Sequence, residues 1–434
     1  MIGAGSTLFC ATLSQEALLP GSTLLGVVLS LDKTNISIMI GNCVAHLVLI
    51  SLANIDAHIR SQTSLHAYLL LTLPPVAKFI HKITHVHSLL QDCLFHQALN
   101  IVLSPLKVAV KVVIMMSGDP VGNLHYCFTL IASWIADMPE ESLLSAMGPK
   151  TLPVTTATSK DFGDPYWHPP RTAMRTHLVI CSACSKCLLK DYFLKVIKLL
   201  GLNGVTNPVW LGWALSDPCD FLTIEPLHHF FQFSWDHNVK WCIFALGAKE
   251  LYFHFSLIQT PISYQAFNEG ISKLKQVTGC DHCAVQYYIT GIVAGGAPQN
   301  FLITICALLD FHYLAQAPIF TAHSVDCVAQ ALQEFHERKD AIICLGTHNN
   351  WEIPKLKLLQ SVVPEIRRSG APMQWLADIT EHVHVDEIGV SAHAGNNQNY
   401  YNQIIHHLNR LDKCFRFDLA MYIEEQCHIH KYDG

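Results

Sequence analysis

The chain has 434 residues and a net charge of −6, and 50% of its residues are hydrophobic whereas only 14% are charged. An ordinary soluble domain has about 25% charged residues. A chain of this length can bury a substantial core and can hold two or three domains. The negative charge argues against a strongly basic DNA-binding surface, because affinity for phosphate comes largely from Lys and Arg.

Arginine is rare in this chain, whereas histidine and cysteine are abundant. There are eight arginines, 26 histidines and 16 cysteines. A long chain does not need disulfides to stabilise it, and the N-terminal sequence MIGAGSTLFCATLSQE lacks the basic and apolar segments of a signal peptide. We therefore expect the thiols to be reduced, in an intracellular compartment.

Two uncharged stretches, Asn35–Ile55 and Tyr287–Leu309, are long enough to cross a bilayer. The first contains three asparagines and a histidine, and the second is interrupted by the sequence GGAPQN. Polar groups at the middle of a bilayer are costly. We therefore predict that both stretches form buried strands and core helices, with no membrane span.

The first third of the chain is rich in apolar, β-branched runs, which predict strands. These runs are Leu24–Leu29, Ile36–Ile40, Val44–Leu52, Val108–Met116 and Phe128–Ala136. A helix is predicted within Ser64–Gln97, with an interruption at the sequence LPP. Strands and a helix in this order indicate an α/β sheet.

After residue 147 the amino-acid composition and the spacing of apolar residues divide the chain into three further segments. Residues 148–175 are rich in Pro, Gly, Ser and Thr and are predicted to be a linker. Residues 176–370 carry apolar residues at helical spacing, which predicts a mainly helical insertion. Residues 371–434, with a helix near Asn399–Leu411, are predicted to complete the α/β core that residues 1–147 begin.

Two isolated aspartates each follow an apolar strand. The run TLLGVVLSLD ends at Asp32, and the run FTLIASWIAD ends at Asp137, after which MPEES is predicted to begin a helix. A strand that ends in a carboxylate and continues into a hairpin is typical of the start of a ribonuclease-H-like nuclease core. Carboxylates are the ligands that Mg²⁺ prefers. Either residue could equally be a turn or N-cap aspartate.

Several longer blocks resemble the Plavaka transposases, which are fungal relatives of the CACTA superfamily of cut-and-paste elements. Among these blocks are LSLDKTNIS, LISLANIDAHIR, FLTIEPLHHFFQFSWDHNVKWCIFALGAKEL and AGNNQNYYNQIIHHLNRLDKCFRFDLA. The resemblance implies a ribonuclease-H-like core that cleaves and transfers DNA strands at transposon ends in the nucleus. It also implies Mg²⁺ or Mn²⁺ as cofactor, the terminal repeats of the transposon as DNA partner, and a possible homo-oligomer.

The resemblance also extends the set of candidate site residues. It implies that Asp32, Asp137 and a third acid hold the metal ions, and Glu381 in QWLADITEHVHVDEI is the choice for that acid. The same segment offers Asp378, Asp386 and Glu387 as alternatives. The sequence TIEPLHHF resembles the acid-x-x-His motif of the superfamily, which assigns an auxiliary catalytic role to His228 and makes Glu225 another candidate for the third acid.

Cysteine and histidine clusters allow a different interpretation, a zinc-binding regulator. The clusters are Cys181, Cys184 and Cys187, then Cys280 and Cys283, and finally Cys427, His428 and His430.

In the family, arginines are expected at positions 280 and 283, where this chain has cysteines. A similar exchange of arginine, here for histidine, recurs at His312, His348, His393 and His406. Deamination of methylated cytosine in arginine codons produces these exchanges.

We therefore interpret the chain as a truncated, decayed and inactive copy. A non-catalytic relic or a domesticated module that binds DNA or protein is the alternative.

Overall fold

The computed structural model describes residues 22–37, 43–112, 114–117, 124–186, 197–258, 267, 271, 279–384, 390–391 and 400–432. The strands are β1 (Thr23–Ser37), β2 (Cys43–Leu52), β3 (Leu69–Thr72), β4 (Ile114–Ser117) and β5 (Leu124–Ala136). The helices up to the middle of the chain are α1 (Ala57–Arg60), α2 (Thr84–Val102), α3 (Ser104–Lys111), α4 (Met138–Leu144), α5 (Ala173–Lys186), α6 (Ile197–Leu200) and α7 (Pro218–Phe221).

Two π-helical segments, Leu227–Phe231 and Ser234–Val239, come next. The following helices are α8 (Lys240–Leu246), α9 (Ala248–Ser256), α10 (Gly279–Val293), α11 (Gln299–Ala315), α12 (Ala322–Arg338), α13 (Asp340–Cys344), α14 (Pro354–Leu358), α15 (Val362–Ser369), α16 (Ala377–His384) and α17 (Tyr400–Tyr432). Within the predicted helical insertion, residues 187–196, 259–266, 268–270 and 272–278 lie outside the described residues.

The strands form one mixed sheet in the order β3-β2-β1-β5-β4. The central strand, β1, is antiparallel to β2 and parallel to β5, and Leu31 of β1 is paired with Ala136 of β5. The predicted mixed α/β class is therefore confirmed.

Two sequence-based assignments were wrong. β3 lies within the predicted helix 64–97, because the prolines at 74 and 75 delay the helix until Thr84. The predicted strand 108–116 begins as helix α3, which has Pro105 in its first turn.

The two faces of the sheet are covered by different hydrophobic clusters. Side chains alternate between the faces of a strand, so Val27 and Leu29 face the larger cluster and Val28 faces the smaller one. The larger cluster extends from the sheet into the helices between α7 and α15. The smaller cluster includes Trp375, Val383 and other side chains that follow the helical region. Helix α16 thereby packs against β1 on the same face as Val28.

The Pro- and Gly-rich stretch after Met147 is packed against the helical region. Phe162 is 1% exposed within the larger cluster. The ammonium group of the buried Lys357 contacts the carboxylate of Asp164. A Cβ atom at Gly163 would lie only 2.4 Å from the Cβ of Trp351, so only a glycine fits this close approach.

Within the described residues, no single helix is long and apolar enough to cross a membrane. One pair of consecutive helices, Val86–Val102 and Ser104–Lys111, is together long and apolar enough for a membrane span, but the two helices are bent by 54° relative to each other. Of the two uncharged stretches noted in the sequence, the first includes the end of β1 and all of β2, and the second includes parts of α10 and α11.

We expect Phe162→Ala to lower the free energy of unfolding by about 3–5 kcal/mol, because it removes a fully buried aromatic ring and leaves a cavity. Tyr166→Ala is the matched control, since Tyr166 lies in the same stretch and is 69% exposed. Urea denaturation followed by tryptophan fluorescence would measure both. Equal, small effects of the two substitutions would contradict the packing of this stretch.

Candidate active site

Asp32 and Asp137 lie on neighbouring parallel strands, close to the edge of the sheet at which β5 ends. The prediction that the first strand ends at Asp32 was wrong, because β1 continues to Ser37 and its pairing with β2 extends past Asp32. Asp32 follows Leu31 on β1 and Asp137 follows Ala136 on β5, and these two preceding residues are paired in parallel register. Asp137 is the N-cap of α4, and its carboxylate accepts a hydrogen bond from the backbone N–H of Met138 at 2.6 Å. Both aspartates are partly exposed. The parallel register thus brings together two carboxylates that are separated by more than a hundred residues.

A third carboxylate, Glu140, lies near this pair in the first turn of α4. Burial, followed by the negative charges of Asp137 and Asp32, raises the pKa of Glu140 to about 7, although Lys33 opposes the shift. His46 on β2 is also close, since it is paired with Lys33 of β1. Burial, followed by the charge of Lys33, lowers the pKa of His46 to about 4, while Asp32 acts in the opposite direction. Three carboxylates, those of Asp32, Asp137 and Glu140, are therefore close enough to influence one another, with Lys33 as a nearby cation.

His228 joins two carboxylates beside this edge. Its Nδ1 donates to Oε1 of Glu225 at 2.7 Å, and its Nε2 lies 3.2 Å from Oε1 of Glu381 on α16. Burial alone would lower the pKa of His228, but Glu225 and then Glu381 and Asp137 outweigh it and raise the pKa to about 11. The imidazole is therefore a cation at neutral pH.

Glu225 is fixed by the start of the first π-helical segment. It is fully buried, and its carboxylate oxygens accept hydrogen bonds from the backbone N–H groups of Leu227 (2.8 Å) and His228 (2.6 Å). A carboxylate is favourable at a helix N-terminus, where backbone N–H groups lack partners. Burial alone would raise the pKa of Glu225, but His228 and His229 outweigh it and hold the pKa well below its usual range.

A second, fully buried layer of charge lies behind Glu225. Nε2 of His229 lies 3.6 Å from Oε2 of Glu141, and Nδ1 of the same ring lies 3.6 Å from Oε1 of Glu225. Burial alone would lower the pKa of His229, but Glu141 and Glu225 raise it to about 9. Glu365 accepts the N–H of Ile224 at 3.0 Å, and burial raises its pKa to about 7. This layer holds the segment that carries His228 against α4.

Lys355 provides a cation on the other side of Asp137. Its ammonium group lies 3.6 Å from Oδ1 of Asp137 and donates to the backbone oxygen of His228 at 3.0 Å and to Oε1 of Gln232 at 2.9 Å. The side chain is 18% exposed. Lys355 therefore links Asp137 to the π-helical segments.

The structure places the four predicted site residues in two linked groups. Asp32 within β1 and Asp137 directly after β5 form one group, whereas Glu381 contacts His228, which is within electrostatic range of Asp137. Among the described residues, one group of three potential ligands has all its ligand atoms within 4.8 Å of one another, and it consists of Asp161, Asp164 and His168. That group lies in the packed stretch after Met147, where Lys357 and Thr158 already contact its carboxylates. Asp386 and Glu387 lie outside the described residues.

The described cysteines do not form a zinc-type cluster. Cys181 and Cys184 are exposed on α5, and Sγ of Cys181 lies 3.4 Å from the His177 ring. Neither belongs to a group of three close ligands among the described residues. Cys187 lies outside the described residues, as do the side chains of Cys280, Cys427, His428 and His430.

Sequence reasoning missed five residues of this site: Glu140, Glu141, His229, Lys355 and Glu365. Glu140 and Glu141 occur three and four residues after Asp137, and His229 directly follows His228, so their proximity in sequence could have identified them. Lys355 and Glu365 reach the site only through tertiary packing, and no local pattern indicates their role.

The comparisons with known proteins identify a family. The family model described as Plavaka transposase matches residues 7–242. The chain belongs to the Plavaka transposase family. The matched residues include Asp32, Asp137, Glu225 and His228, whereas Glu381 and Lys355 lie outside the matched range. No curated protein matches the chain.

We expect Glu140→Gln to raise the free energy of unfolding by about 1–3 kcal/mol at pH 8, since each unit of pKa shift corresponds to about 1.4 kcal/mol. An acid whose pKa is raised in the folded state costs stability as the pH rises from its unfolded value of 4.5 through about 7. The gain should therefore vanish below about pH 4.5. Urea denaturation without divalent cations measures this, with the exposed Glu352→Gln as control. An equal gain at low and high pH would contradict the account.

We expect Glu141→Gln to lower the free energy of unfolding by about 3 kcal/mol, because it leaves the buried His229 with Glu225 as its one remaining carboxylate partner among the described residues. The raised pKa of His229 stabilises the wild type fully below pH 6.5, and this stabilisation is lost as the pH rises through about 9. The variant should therefore lose less stability than the wild type between pH 6.5 and 9.

The control for this substitution is Glu250→Gln, which breaks an exposed pair with His254 (3.2 Å) and should cost less than about 1 kcal/mol. Chemical denaturation at a series of pH values provides the data. If the free energy of unfolding of Glu141→Gln changed with pH as steeply as that of the wild type, the Glu141–His229 pair would not control the protonation of His229.

Proposed function

We propose that this transposase-derived chain contains a ribonuclease-H-like centre for metal-dependent cleavage and transfer of DNA strands at transposon ends. The observation that carries the proposal is the parallel register of β1 with β5, in which Asp32 and Asp137 each directly follow a residue of the pair Leu31 and Ala136. A central strand flanked by one antiparallel and one parallel strand supports a ribonuclease-H-like core. Membership of the family supports DNA as the ancestral partner, and we propose the nucleus as its location.

The residues present suit Mg²⁺ or Mn²⁺. Burial, followed by the negative charges of Asp137 and Asp32, raises the pKa of Glu140, and a divalent cation would relieve the repulsion among these carboxylates. Hard cations favour such an all-oxygen set. We propose that Asp32, Asp137 and Glu381 hold the metal ions, with Glu140 as a further oxygen ligand. Metal ions in such a centre activate the attacking hydroxyl and stabilise the leaving oxygen.

Two cations of the protein have separate roles in this proposal. His228, protonated between Glu225 and Glu381, holds Glu381 toward the strand edge. Lys355 is close enough to Asp137 to orient its carboxylate and can contact a DNA phosphate, because its side chain is partly exposed. Glu225 is buried and bonded to backbone N–H groups, so its role is to orient His228 rather than to bind metal.

We further propose that this copy has decayed and catalyses little or no transposition. His312 supports the idea, because it is fully buried and neither ring nitrogen has a hydrogen-bond partner among the described residues. Burial lowers its pKa to about 3, so the ring is neutral. An unpaired buried polar group costs stability. The net charge of −6 also disfavours DNA binding.

The test of the metal centre is titration of the purified chain with Mn²⁺, followed by calorimetry. We expect Asp32→Asn and Asp137→Asn each to weaken binding by about tenfold or more, which is 1.4 kcal/mol or more. Asp326→Asn is the matched control, because Asp326 is an exposed acid on α12. Binding that persists in both site variants would overturn the proposed metal centre.

The test of activity is nicking of supercoiled plasmid with Mn²⁺. The decayed-copy proposal predicts metal binding with no more nicking than Asp32→Asn produces. Nicking by the wild type that Asp32→Asn abolishes would show a working nuclease and overturn the proposed decay. Absence of both Mn²⁺ binding and nicking would favour the alternative, a non-catalytic relic or DNA- or protein-binding module.

A further inference from the structure

A cavity lies between helix α16 and the segment that connects α1 to β3. Its volume is about 50 Å³, whereas about 10–15 Å³ is enough to hold one water molecule. Its lining includes Arg60, Thr63, His66, Tyr68, Ile379 and Val383, and none of the lining residues is acidic. The cavity is therefore large enough for several water molecules or for one small polyatomic ion.

Arg60, the last residue of α1, brings a buried positive charge to the wall of this cavity. It is 3% exposed. Its Nη1 donates to the backbone oxygens of Leu52 and Ile55 at 3.3 and 3.4 Å, and its Nη2 donates to that of Gln374 at 3.0 Å. Hydrogen bonds of this type are usually 2.7–3.2 Å long, so two of the three are weak. A buried ion is costly unless it is paired with an opposite charge.

The other groups around this guanidinium are neutral as well. The ring of Trp375 lies 5.2 Å from it. Burial raises the pKa of the Tyr68 hydroxyl, and its hydrogen bond with Arg60 opposes that shift without reversing it, so the hydroxyl is uncharged at neutral pH. In the part of the chain that the structure describes, the contacts of Arg60 are thus with carbonyl groups, a phenol and an indole ring. An anion in the cavity would compensate the charge of Arg60.

His66 and Thr63 form the side of the cavity that solvent can reach, since both residues are exposed. Thr63 begins a one-turn 3₁₀ helix, Thr63–Leu65. His66 follows this turn with a backbone φ of 46°, which is uncommon for a residue other than glycine. The ring of His66 packs on that of Phe415, with the ring centroids 4.6 Å apart. Two side chains that can donate hydrogen bonds therefore lie where an ion would enter.

We propose that this cavity binds a phosphate group, with Arg60 as its principal ligand and with Thr63 and His66 as further donors. A guanidinium group is planar and matches the oxygens of a phosphate in pairs. Free phosphate and a phosphate of a DNA backbone offer the same oxygens. DNA as the source rests on the proposed function, whereas the phosphate site itself does not.

The site is separate from the proposed metal centre. Ile379 and Val383 line the cavity and are four residues apart, so they share one face of α16. Glu381 lies between them in sequence and contacts His228. A phosphate in the cavity would therefore lie against the other face of α16 and would not be the phosphate that is cleaved.

Calorimetric titration of the full chain with inorganic phosphate tests the role of Arg60. We expect a dissociation constant of about 1 mM or below, and we expect Arg60→Lys to raise it by about tenfold or more. Lysine keeps the charge but lacks the planar pair of donors. Arg338→Lys is the matched control, because Arg338 is already paired with Glu334 at 3.0 Å, and it should bind phosphate as the wild type does.

A second variant fills the cavity and leaves Arg60 in place. Ala67 is a lining residue, so Ala67→Leu should weaken phosphate binding by about tenfold or more. Ala248→Leu is its control, since Ala248 is exposed on α9. Circular dichroism would verify that each variant folds. A wild type that binds no phosphate at about 10 mM, or binding that Ala67→Leu leaves unchanged, would overturn the proposal.

Binding of a short fluorescent DNA duplex distinguishes the two sources of the phosphate. If Ala67→Leu weakens DNA binding together with phosphate binding, the DNA backbone is the source. If it weakens phosphate binding alone, the source is free phosphate. Asp32→Asn should leave phosphate binding unchanged, so a failure of the metal centre and a failure of this site would be distinguishable.

Discussion

The parallel pairing of β1 with β5 is the constraint on which the rest of the site depends. Because Leu31 is paired with Ala136, the residues that follow them lie next to each other at the same edge. A shift of one residue in either strand would turn an aspartate toward the opposite face. The register is fixed by burial on both faces, since Leu29 and Val28 belong to different hydrophobic clusters.

Charge is buried behind this edge to an unusual extent, and each group is stabilised by a partner of opposite charge. His228 and His229 lie between the carboxylates of Glu141, Glu225 and Glu381. Isolated charges at these positions would be strongly unfavourable. The network therefore stabilises the fold only when it is complete, and it couples the position of Glu381 to that of the buried π-helical segment. A metal site at the strand edge would depend on the same network for its shape.

The aspartates could be predicted from the sequence because each is an isolated acid directly after an apolar run, although β1 continues past Asp32 to Ser37. The roles of His228 and Glu381 came from the family resemblance, because their contact depends on tertiary packing between segments about 150 residues apart. The mixed α/β class and the family were confirmed, whereas the ribonuclease-H-like core and the metal ligands stay predictions. β3 was missed because a four-residue strand followed by prolines has too few residues to show a period.

Anomalous diffraction from crystals soaked in Mn²⁺ would test the central claim most directly. The account predicts an anomalous peak between the carboxylates of Asp32 and Asp137, within about 2.0–2.2 Å of oxygen ligands, as for a small divalent cation. It also predicts that Glu381 remains bound to His228 and faces the ion. A peak only at Asp161, Asp164 and His168, or no peak at the strand edge, would contradict the proposed catalytic centre.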